Sequence, residues 1–363
     1  MLFIGINMTF MITKPTLILD SAKCRKNISR MAAKASVKGL TFRPHFKTHQ
    51  SLEIGQWFKE FGVTKITVSS LSMAKYFSSE WNDITVAFPV NILEIETINE
   101  LALKIILNIQ LESAESAAYL SENLITGVGC FIKIDVGTHR TGADPNDIQG
   151  IEAIMQVIDT SRHLTFKGFL AHSGHTYGCT SKKEVIDIHQ NTRRIMVNLK
   201  EKFKYKYPDL ILSVGDTPSC SMAENFQGLD EMRPGNFVFY DLTQEKIGSN
   251  QIDEIAVAMA CPVVAMHRKR KELVIYGGAV HFSKDGLKTE KEALIFGKVV
   301  EQNGLKWGIP IPGMVVKSLS QEHGIIKVPE HLIDNYKVGD LLYILPVHSC
   351  LTADLMKSYV TTG

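Results

Sequence analysis

The chain predicts a (β/α)₈ barrel followed by a second, mostly β C-terminal domain, and two observations predict it. From about residue 39 to 241, eight short β-rich runs alternate with stretches of helical spacing, the count and order of such a barrel. After about residue 250 long helical patterns stop, and short β-type runs separated by turns take over. An open doubly wound sheet would alternate too, but it advertises a Gly-rich phosphate turn early in the chain. Neither G-x-G-x-x-G nor G-x-x-x-x-G-K-[ST] occurs.

The expected barrel strands are Gly39–Thr48, Lys65–Ser70, Ile84–Phe88, Ile105–Ile109, Phe131–Gly137, Phe166–Gly174, Leu210–Gly215 and Asn236–Tyr240. Their apolar character suits parallel strands buried on both faces. Helical spacing fills the gaps at Leu52–Phe61, Leu93–Leu101, Ser113–Leu120, Ile148–Ile158 and Lys183–Phe203. The later β runs are Ile255–Ala260, Val263–Met266, Leu273–Tyr276, Ile325–Val328 and Leu341–Leu345. This gives a barrel over residues 15–248 and a β domain over 249–363, which the N-terminal segment 1–14 is expected to join. The basic run Arg268–Lys271 reads as a solvated hairpin tip.

Composition bounds the function. The 363 residues suit about two domains, and 45% apolar with 21% charged residues is ordinary globular usage. With 40 basic and 38 acidic side chains the net charge is +2, which gives no electrostatic reason to expect nucleic acid or an anionic membrane as partner. No run reaches the 18 or so apolar residues that a membrane span needs. The apolar start, Met1 to Ile12, lacks a basic n-region, so a frayed extension ahead of Met8 or Met11 is expected rather than a secretory signal. Six scattered cysteines without C-x-x-C spacing argue against a disulfide framework and for a reducing cytoplasm.

The densest chemistry is Arg43-Pro44-His45-Phe46-Lys47-Thr48-His49, at the end of the first barrel strand. Active sites of such barrels lie at the C-terminal ends of the strands. Strand alternation would place Arg43, His45, Lys47 and His49 on one face, where mutual repulsion would lower the Lys47 pKa and favour a nucleophilic amine. A solvated or phosphate-facing basic strand end is the plainer alternative.

This segment resembles the N-terminal signature of the fold-type III pyridoxal-phosphate (PLP) enzymes, in the branch of D-threonine aldolase and D-serine dehydratase. There a strand ending in R-P-H-x-K-T-H carries the lysine that forms a Schiff base with PLP, and Lys14–Asp20 resembles the opening strand. The resemblance implies Lys47 as that lysine, with His45 beside the cofactor. Asp135–Gly142 is similar to the family's D-x-G-x-x-R-x-G; its Arg140 would face the cofactor or simply pair with Asp135. His172-Ser173-Gly174-His175-Thr176-Tyr177 resembles H-x-G-H-x-Y, in which Tyr177 would pack on the pyridine ring or hydrogen-bond it; His172 is either a site residue or structural.

Ser213–Ser219 and Arg233–Asn236 resemble the phosphate clamp, and barrels commonly bind phosphate in the loops after strands 7 and 8. Thr217, Gly235 and Asn236 are its expected donors, the alternative being that Gly215 and Gly235 only make turns. Arg233 is similar to an arginine that faces the pyridine nitrogen in related racemases.

Near the C-terminus, His348 and Cys350 form an H-x-C pair that an extended chain would set on one face. Imidazole with thiolate suits Zn²⁺, but two ligands alone are a weak signal. The resemblance adds a metal site close to PLP in this branch. It therefore implies His348 and Cys350 as ligands of a divalent ion, zinc ahead of manganese or magnesium, although Val347 stands where the family often has Asn.

Together these imply a PLP- and metal-dependent lyase acting on a small-molecule D-β-hydroxy amino acid, as D-serine dehydratase or D-threonine aldolase, and working as a homodimer. Cys350 leans towards the dehydratase. The alternatives are a racemase, with Tyr276, Tyr336 or Tyr343 as a second base, and a non-catalytic PLP-binding protein, against which the β domain and the H-x-C pair count.

Overall fold

The computed structural model describes residues 12–289 and 293–362. The expectation for the apolar start therefore falls mostly outside the described residues. The chain divides into two compact units: one takes the residues up to Lys23, Asp241–Thr243 and those from Ile252 onward, and the other takes Cys24–Tyr240 and Gln244–Gln251.

The larger unit is an eight-stranded parallel sheet. Its strands are β2 (Thr41–Phe42), β3 (Ile66–Val68), β4 (Asp83–Pro89), β5 (Ile106–Leu111), β6 (Val128–Ile134), β7 (Leu164–Ala171), β8 (Ile211–Val214) and β9 (Glu231–Met232). They pair in the order β2-β9-β8-β7-β6-β5-β4-β3, and the two edge strands meet through a parallel bridge between His45 and Thr67. Apolar runs covered on both sides make such strands; every residue of β6 is buried. Helices between strands start on Ser51, Ser70, Ser113, Asp147 and Ser181, whose side chains accept a backbone N–H of the first turn.

Two expectations need correction here. The last barrel strand is Glu231–Met232, and Asn236–Val238 is a 3₁₀ turn instead of part of a strand. The first strand stops at Phe42, and residues 46–49 turn.

That early stop changes the role of Arg43. Its guanidinium is buried inside the barrel, with Nε 2.7 Å from Glu231 Oε2 and Nη1 2.6 Å from Asp83 Oδ1. Ser213 Oγ donates to the other Glu231 oxygen at 2.5 Å, and Arg233 Nε donates to Ser213 Oγ at 2.6 Å. A buried charge is tolerated only when it is paired in this way. Arg43→Ala takes the paired cation from the buried Glu231 and leaves Asp83 to Lys65 and Asn108; it should cost about 3–5 kcal/mol, read as a lower urea midpoint. Arg43→Lys should recover little, because an ammonium cannot reproduce the fork geometry.

The smaller unit is built on an eight-stranded sheet. Strand β1 (Thr16–Asp20) pairs antiparallel with β10 (Val257–His267) and parallel with Val360–Thr362. β10 in turn pairs with β11 (Glu272–Tyr276) and with Leu341–Pro346. Sequence reading missed the long hairpin Gly297–Asn303/Lys306–Leu319, whose glycines, prolines and register shifts hide a strand pattern. The basic run is the expected tip: Arg268 pairs with Asp334 and Lys271 with Glu330. Among the described residues no cysteine forms a disulfide, and no helix is long and apolar enough to cross a membrane.

Candidate active site

In the barrel unit the site begins where β2 ends. His45 N–H donates to Pro234 O at 2.9 Å and Phe46 N–H to Thr67 O at 2.8 Å, so neighbouring strands hold the segment from both sides. Phe46 is fully buried against Phe58, Phe77 and Trp81, with ring centroids 4.9–5.2 Å away, and Thr48 is buried beside it. With these two facing the interior, Lys47 is exposed and His45 half-buried.

His49 does not join a basic face. It lies in the same aromatic cluster, 5.6 Å from the Phe58 ring, its Nδ1 accepting from Ser51 N at 3.1 Å. Burial takes its pKa down to about 3. The four-cation face expected from alternation is thus reduced to His45 and Lys47, because the chain turns where alternation assumes a strand.

Two imidazoles accompany Lys47. Burial, then the Lys47 charge, holds both His45 and His172 well below the ordinary histidine range, so both are neutral at physiological pH. His45 Nδ1 accepts the Lys47 backbone N–H at 3.3 Å, which puts its proton on Nε2. His172 Nδ1 bonds Gly215 O, which can only accept, so its Nε2 is the acceptor. One ring therefore offers a donor and the other an acceptor.

Tyr177 lies 6.4 Å from the His172 ring, and its hydroxyl accepts from Thr217 N at 3.2 Å. Thr217 Oγ1 accepts from Phe237 N at 3.2 Å, which brings the two expected phosphate loops together. Gly235 is required by close approach: a Cβ there would lie 3.0 Å from His45 O. Gly215 likewise lets the first loop pack on Arg233, whose backbone oxygen a Cβ would meet at 2.7 Å. Asn236 is buried in this loop.

Arg233 is buried and tied down, donating to Ser213 Oγ, to Ala171 O at 2.6 Å and to Ser213 O at 3.2 Å. Burial lowers its pKa to about 10, so it stays a cation at neutral pH. Arg140 is exposed. The pairing with Asp135 is made by His139 instead, at 2.9 Å, with the N–H groups of Gly137 and His139 on the same carboxylate.

Sequence reading overlooked Lys133, buried on β6, which donates to Ile134 O at 2.9 Å. Burial, then the Arg233 charge, brings its pKa down to about 8. Its only signal was a lysine inside an otherwise apolar strand, two residues before Asp135.

In the smaller unit, His348 and Cys350 are brought together, though not on an extended chain. His348 is the residue before a helix, Ser349–Met356, and Cys350 lies in its first turn. Burial pulls the His348 pKa down, but Cys350, Asp241 and Asp285 outweigh it and raise it to about 10. The segment is pinned at several points. Asp241 Oδ2 accepts from Ser349 N at 3.0 Å and Ser349 Oγ at 3.2 Å, and Val347 O accepts from Thr243 N and Oγ1. Among the described residues no group of three or more His, Cys, Asp or Glu could hold a metal ion by itself. The pair nonetheless offers a nitrogen and a sulfur donor, with Cys350 half-buried, which suits zinc if other positions are filled by water or substrate.

The family described as "Alanine racemase, N-terminal domain" matches residues 19–242, and "Putative serine dehydratase domain" matches residues 256–362. D-serine dehydratase of Dictyostelium discoideum is 31% identical, covering 96% of this chain and 92% of that one. D-threo-3-hydroxyaspartate dehydratase of Delftia sp. is 25% identical, covering 95% and 93%. The solved structure of the Delftia enzyme superposes with a TM-score of 0.89 at 24% identity over 97% of this chain and 95% of its own. D-threonine aldolase of Filomicrobium marinum gives a TM-score of 0.80 at 18% identity, covering 96% and 91%.

Proposed function

Because the chain belongs to the alanine racemase N-terminal domain family of fold-type III PLP enzymes and carries a serine dehydratase domain behind it, we propose a PLP- and metal-dependent lyase that dehydrates D-β-hydroxy amino acids, D-serine first, as a homodimer. One observation carries the reading: Lys47 is exposed, its charge acts on two imidazoles kept neutral, and a loop that Gly235 allows to close packs on His45. The residues present fit both groups, with a primary amine and a glycine-made cradle for PLP and a nitrogen–sulfur pair for the ion. The identity with dehydratases and the thiol at position 350 both favour dehydration over aldol cleavage. A structurally similar D-threo-3-hydroxyaspartate dehydratase was solved as a cysteine-to-alanine variant in a metal-free form, which supports a metal in that relative.

When bound, PLP supplies an electron sink for the charge left at Cα, and the divalent ion a Lewis acid for the β-oxygen. The chain's own residues do the rest. Lys47 would hold the cofactor's aldehyde, and its amine, when free, would be placed to take the Cα proton. His45 and His172, being neutral, compete with it neither as cations nor as strong bases. Thr217, Gly235 and Asn236 would hold the cofactor's phosphate, and Tyr177 with His172 would hold its ring. Arg233 stays fixed by the barrel backbone. The Cα–H and Cβ–O bonds break, water leaves, and the enamine is hydrolysed to pyruvate and ammonia.

The test is an assay of purified protein with PLP and Zn²⁺ on D-serine, D-threo-3-hydroxyaspartate and D-threonine. Oxo acid and ammonia from the first two are expected. Recovery of L-serine would point to a racemase, and release of glycine from D-threonine alone to an aldolase.

A further inference from the structure

His348 Nδ1 lies 2.6 Å from Asp285 Oδ2, a short charge-assisted contact between residues 63 positions apart. Asp285 sits in the turn that follows the short helix Ala279–Phe282. That turn is held at both ends. Ser283, at φ +70°, accepts the Asp285 N–H on its Oγ at 3.1 Å. Thr352 Oγ1, from the helix that carries Cys350, donates to Phe282 O at 3.2 Å. A non-glycine residue at positive φ persists only where its surroundings enforce it. Here the enforced turn aims a carboxylate at one nitrogen of the imidazole.

We propose that Asp285 is a positioning residue for metal binding: it accepts the Nδ1–H of His348, fixes that ring's tautomer and orientation, and leaves the Nε2 lone pair for the ion. A ligating imidazole commonly gives its second N–H to a carboxylate, which makes the ligand more basic and costs no ordering when the ion arrives. Asp285 is half-exposed, so it acts through His348 and adds little to folding on its own. The inference rests on His348 and Cys350 being metal ligands, so the test separates the two claims.

Full-length protein stripped with chelator is titrated with Zn²⁺ against a chromophoric competitor, and in parallel with Co²⁺ to read the ligand-field spectrum. Asp285→Ala should weaken zinc binding about 10–100-fold while the cobalt spectrum at saturation stays that of the wild type. Asp285→Glu should recover part of the loss, because the acceptor is restored at slightly altered reach. Wild-type zinc affinity in Asp285→Ala overturns the proposal, and so does a changed saturated cobalt spectrum, which would make Asp285 a ligand. If His348→Ala binds zinc like the wild type, the ligand assignment beneath the proposal is what fails.

Discussion

Lys47→Ala should yield a folded protein that carries no covalently held PLP and has lost dehydratase activity on the order of 10³-fold or more. Fold and chemistry separate cleanly at this position. The side chain is exposed, and its loss should stay within the roughly 0.5 kcal/mol usual for surface changes. The segment is held by Phe46, Thr48 and the backbone bonds to Thr67 and Pro234. Lys47→Arg should fail almost as completely, because the guanidinium keeps the charge and provides no amine to condense with an aldehyde. Visible absorption of the bound cofactor, with far-UV circular dichroism as the fold control, checks both variants. Retained absorption in Lys47→Ala would remove this residue from its assigned role.

His348→Ala and Cys350→Ala should do the opposite. Each should keep the cofactor's absorption, release the divalent ion and lower dehydratase turnover by about 10³-fold, the several kcal/mol that a Lewis acid contributes at a departing oxygen. Both side chains lie at the start of one helix, held by Asp241 and Thr243, so neither substitution removes a core contact of the sheet. Metal content by plasma spectrometry and pyruvate release measure the two halves. Chelation of the wild type should reproduce the variants, and added zinc should restore the wild type alone. Full turnover in either metal-free variant would end the metal-assisted account.

The fold was legible because it rests on local signals, apolar runs in alternation with helices; Lys47 stood out at the mouth of the first strand, but its assignment as the anchor rests on the resemblance of R-P-H-x-K-T-H. Other features needed the third dimension. Phe237–Tyr240 is as apolar as a strand and just as buried, yet it begins inside the 3₁₀ turn Asn236–Val238; periodicity cannot separate these in so short a run. The true eighth strand contains Glu231, whose charge looks out of place until Arg43 is seen against it. Arg43 and His49 were grouped with Lys47 by alternation, which fails once the backbone turns at Phe46. Asp241 and Asp285 bond to residues 108 and 63 positions away, and no spacing rule reaches across such distances.

Reduction of the holoenzyme with borohydride, followed by digestion and mass spectrometry, would fix the covalent anchor directly. A phosphopyridoxyl group on the peptide carrying Lys47, and on no other lysine, is the expected result. Its appearance on the buried Lys133, or its absence from every peptide of a protein that still turns over D-serine, would contradict the account.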